Sequence, residues 1–207
     1  MHYSPARYPQ PNNLPSQHPN APQQGQQMQH AGQAPFHGKQ PSNVANNRSE
    51  QQWADVMRLK VFGGKAALEF FEAETRGGKT GKGWKTIQID AAYKIQGKEV
   101  YDWQRKSIIQ ITRLELPYVI AVLLGVRSSC AYKAHGPNKD KGFEMERQPN
   151  NGSVFFKVFD GQNGTKAVPI PMVEAMMIGH MALAQYLENF DGRISSDVVM
   201  NSLHSLA

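Results

Sequence analysis

The chain has 207 residues, with 23 Lys and Arg against 17 Asp and Glu for a formal net charge of +6. Its single cysteine, Cys130, excludes an internal disulfide framework and most cysteine-based metal sites. No apolar run approaches the length of a membrane span, and a pI near 9.4 favours an anionic partner.

Residues 1–50 are built from Pro, Gln, Asn and His with almost no aliphatic side chains. Such a stretch buries too little apolar surface to offset the ordering of its backbone, so it reads as a disordered tail. Residues 51–207 are left as one domain with room for one core. His2, His18, His30 and His37 are too widely spaced for zinc ligation. The start of the chain lacks an apolar signal core, so secretion is not expected, and the location reads as intracellular, cytoplasmic or nucleoid-associated. An acid-poor start containing Arg7 and Arg48 gives a mitochondrial transit segment as the alternative.

Val56–Phe62 alternates and predicts a first strand, with Met57, Leu59 and Val61 inward and Arg58 and Lys60 outward. Gly63-Gly64 breaks it, and Ala66–Ala73 predicts a second strand, with a helix as runner-up because Ala, Leu and Glu favour one. Thr75–Gly83 carries Arg76, Lys79 and Lys82 among glycines. It lacks the glycine spacing of a P-loop and reads as a cationic hairpin loop. Trp84–Tyr93 predicts a third strand. A turn at Gln96-Gly97-Lys98 leads into Val100–Thr112, read as a fourth strand with Tyr101, Trp103 and Arg105 on one face and Lys106 with Ile108 on the other. Four strands joined by short turns make an antiparallel meander.

Leu114–Gly125 changes to helical spacing, with Pro117 near its start and Gly125 as its stop. Strands follow at Val126–His135, Gly142–Arg147, Ser153–Asp160 and Thr165–Ile170, and Pro169 and Pro171 are read as ending the sheet. Within Ser153–Asp160, Phe155, Lys157 and Phe159 share one face and Val154, Phe156 and Val158 the other. Cys130 reads as a small buried strand residue. Met172–Phe190 is a long amphipathic helix in which His180 reads as a packed core or interface residue. Ser196–Leu206 is a short helix capped by Ser195 or Ser196. The fold class is therefore α+β, with two antiparallel sets of four strands and C-terminal helices.

Aromatic rings beside cations suit the stacking of exposed bases with neutralisation of phosphates. Trp84, Tyr93, Tyr101, Trp103 and Phe155 are the candidate rings; Lys65, Lys85, Arg105, Lys106, Lys133 and Lys157 are the candidate phosphate contacts. This predicts a non-catalytic binder of single-stranded nucleic acid, DNA or alternatively RNA, with no metal or cofactor. A nuclease built on Asp90, Asp102 and His135 is disfavoured, because those groups stand isolated in basic surroundings while two-metal chemistry needs convergent carboxylates. A helix-mediated oligomer acting as a transcription cofactor through protein contacts is a further alternative.

Three stretches, in order, resemble the Whirly family of single-stranded-DNA-binding proteins, whose fold is related to that of the transcriptional coactivator positive cofactor four. Gly64-Lys65-Ala66-Ala67-Leu68 is similar to the family's Lys-Gly-Lys-Ala-Ala-Leu segment, with Gly63 where the first Lys would stand. Tyr101-Asp102-Trp103-Gln104-Arg105-Lys106 is similar to its Tyr-Asp-Trp-x-x-Lys strand, and Val168-Pro169-Ile170 to its Val-Pro-Val entry into the last helix. The resemblance spans roughly Val56–Phe190. It implies two four-stranded sheets packed crosswise and a homotetramer assembled through the helices. It also implies single-stranded DNA bound along the sheet edges with little sequence preference, and a share for Lys65 in assembly into larger particles.

Overall fold

The computed structural model describes residues 56–76 and 81–206. The tail read at residues 1–50, and Lys79 of the glycine-rich loop, lie outside them. The first sheet contains β1 (Arg58–Phe62), β2 (Ala66–Glu74), β3 (Lys85–Tyr93) and β4 (Ser107–Gln110), all antiparallel and in sequence order. The helix α1 (Leu116–Leu123) leads to the second sheet. That sheet holds β5 (Ser129–His135), β6 (Lys141–Gln148), β7 (Ser153–Asp160) and β8 (Gly164–Pro171), again antiparallel and in order. The chain closes with α2 (Met172–Glu188) and α3 (Ser196–Leu203).

Alternation decides what each strand buries. Leu59, Val61, Leu68, Phe70, Ile87, Ile89 and Ile109 lie on one face of the first sheet by register, and all pack into one core with Phe143, Met145, Val154, Phe156 and Val158 of the second. Phe70 meets Phe156 edge-on at 5.5 Å across the gap between the sheets. The opposite face of the first sheet carries Arg58, Lys60, Phe62, Glu69, Gln88, Asp90 and Ile108.

A polar pin joins the sheets at one edge of this core. The fully buried Lys166 donates to Ser107 Oγ at 2.8 Å and to the Asn163 carbonyl at 2.8 Å, and Ser107 donates onward to Asp160 at 2.7 Å. Lys141 lies 3.4 Å from the same carboxylate. Burial alone would raise Asp160, but donors from Asn163 and Ser107 and the charge of Lys141 outweigh it and hold the carboxyl far below its usual range. Burial pushes Lys166 below the usual lysine value, against the pull of Asp160.

Four local expectations need correction. The stretch Val100–Lys106 is not strand. Tyr101 makes one isolated bridge to Lys94, and Trp103–Arg105 winds into a 3-10 turn. The cause is Asp102, whose carboxylate accepts from the Arg105 backbone at 3.3 Å and from Arg105 Nε at 2.6 Å, a local bond that competes with ladder pairing. Met57 precedes β1 and is exposed rather than inward. Pro171 is the last residue of β8, as expected, but Pro169 lies within the strand instead of ending it; β8 is an edge strand, where a missing N–H can face away from the ladder. His180 is exposed on α2, so it is not a core residue of the single chain.

Candidate nucleic-acid interface

The 3-10 turn capped by Asp102 folds the 101–106 segment over the rim of the first sheet. There the Tyr101 ring lies 5.5 Å from Phe62 and 6.5 Å from Trp103. The Tyr101 hydroxyl donates to the Gly63 carbonyl at 2.7 Å, which fixes the ring against the β1–β2 turn. Phe62 is the outermost of the three, with 60% of its surface exposed. Lys60, two residues back on the same strand face, places its ammonium 5.4 Å from the centre of the Trp103 ring. With Glu99 and Val100 the three rings line an open hollow of about 500 Å³.

A second hollow of about 380 Å³, sharing Glu99 with the first, is lined by Lys65, Lys94 and Lys98. Its Lys94 is held by Glu99 at 2.6 Å, a hydrogen bond that raises the ammonium above the ordinary lysine value. Arg105 projects 83% of its side chain into solvent while its Nε stays on Asp102, and that guanidinium bond lowers the Asp102 carboxyl. Lys106 turns onto the buried Asp90 at 2.6 Å.

The remaining candidate residues lie elsewhere. Trp84 is not a free stacking surface: Tyr186 and Phe190 meet it edge-on at 6.4 and 5.9 Å, because the end of α2 folds over the start of β3. Lys85 is committed at both ends. Its ammonium meets Glu74 at 2.9 Å, and its backbone N–H and carbonyl are both held by the Asn189 side chain, at 2.7 and 2.9 Å. Tyr93 gives one face of its ring to the Lys166 ammonium 4.5 Å away, and its hydroxyl to the Thr165 carbonyl. It is a roof over the polar pin with only its outer side available. Lys133, Phe155 and Lys157 belong to the second sheet. Lys133 is exposed on β5 beside a bulge, and Lys157 sits 5.4 Å from the Phe155 ring and 3.1 Å from Glu144. The inner faces of the sheets meet in the core, so Phe155 and Lys157 look out from the side opposite Lys60 and Phe62. One chain cannot bring the two groups together.

The three groups weighed for a nuclease, two carboxylates and an imidazole, each have a charged neighbour. Asp90 meets Lys106, Asp102 meets Arg105, and His135 lies 3.1 Å from Glu115. Burial would raise Glu115, but hydrogen bonds from His135 and the Thr112 backbone outweigh it and hold the carboxyl low. Among the described residues no three His, Cys, Asp or Glu side chains converge on a metal position. Sequence reasoning missed Phe62 and the roles of Arg58 and Lys60. The available signal was the alternation Arg58, Lys60, Phe62, which puts two cations and a ring on one strand face.

No protein-family model and no curated protein matches this sequence. Solved structures do resemble it, two of them as follows. The plant transcriptional regulator PBF-2 shares 20% identity and a TM-score of 0.50, over 71% of this chain and 87% of that one. WHY1 from Arabidopsis thaliana shares 18% identity and a TM-score of 0.52, over 69% of this chain and 95% of that one. Both are Whirly proteins, and this chain has the Whirly-like fold.

Proposed function

We propose that this protein binds single-stranded nucleic acid, DNA in the first place, by stacking and charge rather than by catalysis. The observation that carries the reading is the cluster of Phe62, Tyr101 and Trp103 at the sheet rim, with Lys60 beside the rings and the Lys65, Lys94 and Lys98 hollow next to it. Exposed rings stack on unpaired bases at about 1–3 kcal/mol per base, with little preference among bases because each has a π-face. Paired bases hide those faces, so single strands are favoured. The Whirly-like fold supports the same reading, and the regulatory role named for PBF-2 points to transcription among the processes this binding serves; replication, recombination and repair are also compatible.

Assembly belongs to the reading. On α2, Val173, Met176 and Met177 are exposed at helical spacing beside His180, an apolar stripe suited to copies of the same helix. A homotetramer held through the helices fits this stripe.

The test is fluorescence anisotropy of the full chain with oligo(dT), a duplex and an RNA strand of equal length. Single-stranded DNA is expected to bind at least about tenfold tighter than duplex, the worth of one stacked base. Equal or absent binding across the three overturns the reading. RNA bound more tightly than DNA moves the assignment to RNA.

A further inference from the structure

Three ion pairs gather about one row of the outer face of the first sheet, with Arg58 and Lys106 reaching into it from outside. Register sets Lys60 opposite Glu69, Glu69 opposite Asp90, and Asp90 opposite Ile108. Lys60 and Arg58 reach Glu69 at 3.6 and 3.5 Å, and Lys106 reaches Asp90 at 2.6 Å. The carboxylates lie underneath and the cations on top: the side chain of Glu69 is 10% exposed and that of Lys60 46%.

From this layering we infer that Glu69 is a specificity-determining residue, an internal rival to phosphate that withholds Lys60 from a nucleic-acid backbone and so rejects duplex. The inference rests on the single-strand reading above. Glu69 and Asp90 are like charges on facing strands, an unfavourable pair unless cations cover them. A phosphate that takes Lys60 leaves the poorly solvated Glu69 with one cation where it had two, opposite the like charge of Asp90, which is costly. Duplex binding without sequence readout is driven almost wholly by phosphate contacts, so it meets that cost in full. A single strand has a second source of affinity in the rings, and Lys60 can keep its place between Glu69 and Trp103 while a base stacks on Phe62 or Trp103. The face discriminates by penalising the wrong ligand, not only by attracting the right one.

The experiment compares wild type, Glu69→Gln, Lys60→Gln and the double variant, full chain, binding oligo(dT) and a duplex of equal length across a salt series. Glu69→Gln is expected to tighten duplex binding about three- to tenfold at low salt and to steepen its log–log salt slope by about 0.9 for each cation released. Oligo(dT) binding should change less, so the preference for single strands falls. Lys60→Gln should leave the duplex slope unchanged in the wild-type background and reduce it by about 0.9 in the Glu69→Gln background. An unchanged ratio of single-strand to duplex affinity in a folded Glu69→Gln protein overturns the inference. So does a loss of slope on Lys60→Gln alone, which needs no Glu69 variant to fold. If wild type fails to bind oligo(dT), the single-strand reading itself falls, a result distinct from either.

Discussion

Two tryptophans show how little residue type decides alone. Trp103 stands at an open rim with a cation near its face, while Trp84 is wedged against Tyr186 and Phe190. Trp103→Ala is therefore expected to cost binding, about 1–3 kcal/mol, with little loss of thermal stability. Trp84→Ala should do the reverse, costing about 2–3 kcal/mol of stability, less than the 3–5 of a fully buried ring, with binding retained once folded. Calorimetry and anisotropy on the two variants check both. Cys130 is half-buried, and burial pushes its thiol up to about 12. At pH 8 its reaction with a disulfide reagent should run on the order of 10³-fold slower than that of a free cysteine, until denaturant exposes it. Its place in a strand was legible, but it is half-buried rather than buried. The burial of Trp84 was not, because the rings that cover it lie about a hundred residues away in sequence.

At the scale of elements, periodicity located all eight strands and the three helices, and its failures are local. The apolar run after Lys106 gave no sign that the residues before it leave the sheet; the one clue was Asp102, three residues ahead of an N–H it can accept. Asp102→Ala should release this turn, lowering the thermal midpoint slightly as a cap is lost and weakening single-strand binding as Trp103 loses its seat. At the other end of the fold, Asn189 joins an element pair that sequence spacing could not connect. Its amide accepts from the Lys85 N–H and donates to the Lys85 and Gln185 carbonyls, so the end of α2 is sewn to the start of β3. Asn189→Ala leaves several backbone groups short of partners at about 1–3 kcal/mol each when buried, and a chemical denaturation midpoint well below wild type is expected.

For the molecule as a whole, the polar pin between sheets sets the acid limit of stability. Asp160 titrates far lower folded than unfolded, so its contribution is fully present above the ordinary Asp value near 4 and is lost as pH falls below it. Lys166 acts with the same sign in a higher pH window. Its folded value is below 10.5, so the unfolded chain binds the extra proton, and this group adds stability as pH rises from its folded value towards 10.5. Cys130 and Tyr132, both pushed up by burial to about 12, oppose that rise at alkaline pH. Asp160→Asn should be destabilised by about 3–5 kcal/mol at neutral pH, the cost of leaving Lys166 and Lys141 without their carboxylate, with the gap to wild type narrowing below pH 4 in thermal melts. The two-sheet architecture was legible in strand count and turns. The pin was not, since Ser107, Asp160 and Lys166 carry no shared motif and meet only once the sheets close. The same holds for the division of candidate rings and cations between opposite faces, which alternation describes strand by strand but cannot place in three dimensions. The claim that unites these scales is that the rim rings grip bases and not merely charge. Its most direct test is the affinity of wild-type protein for oligo(dT) against an abasic strand of equal length at one salt concentration. At least about tenfold tighter binding of oligo(dT) is expected, with that gap reduced in Trp103→Ala; equal affinity for the two strands would mean that charge alone holds the ligand.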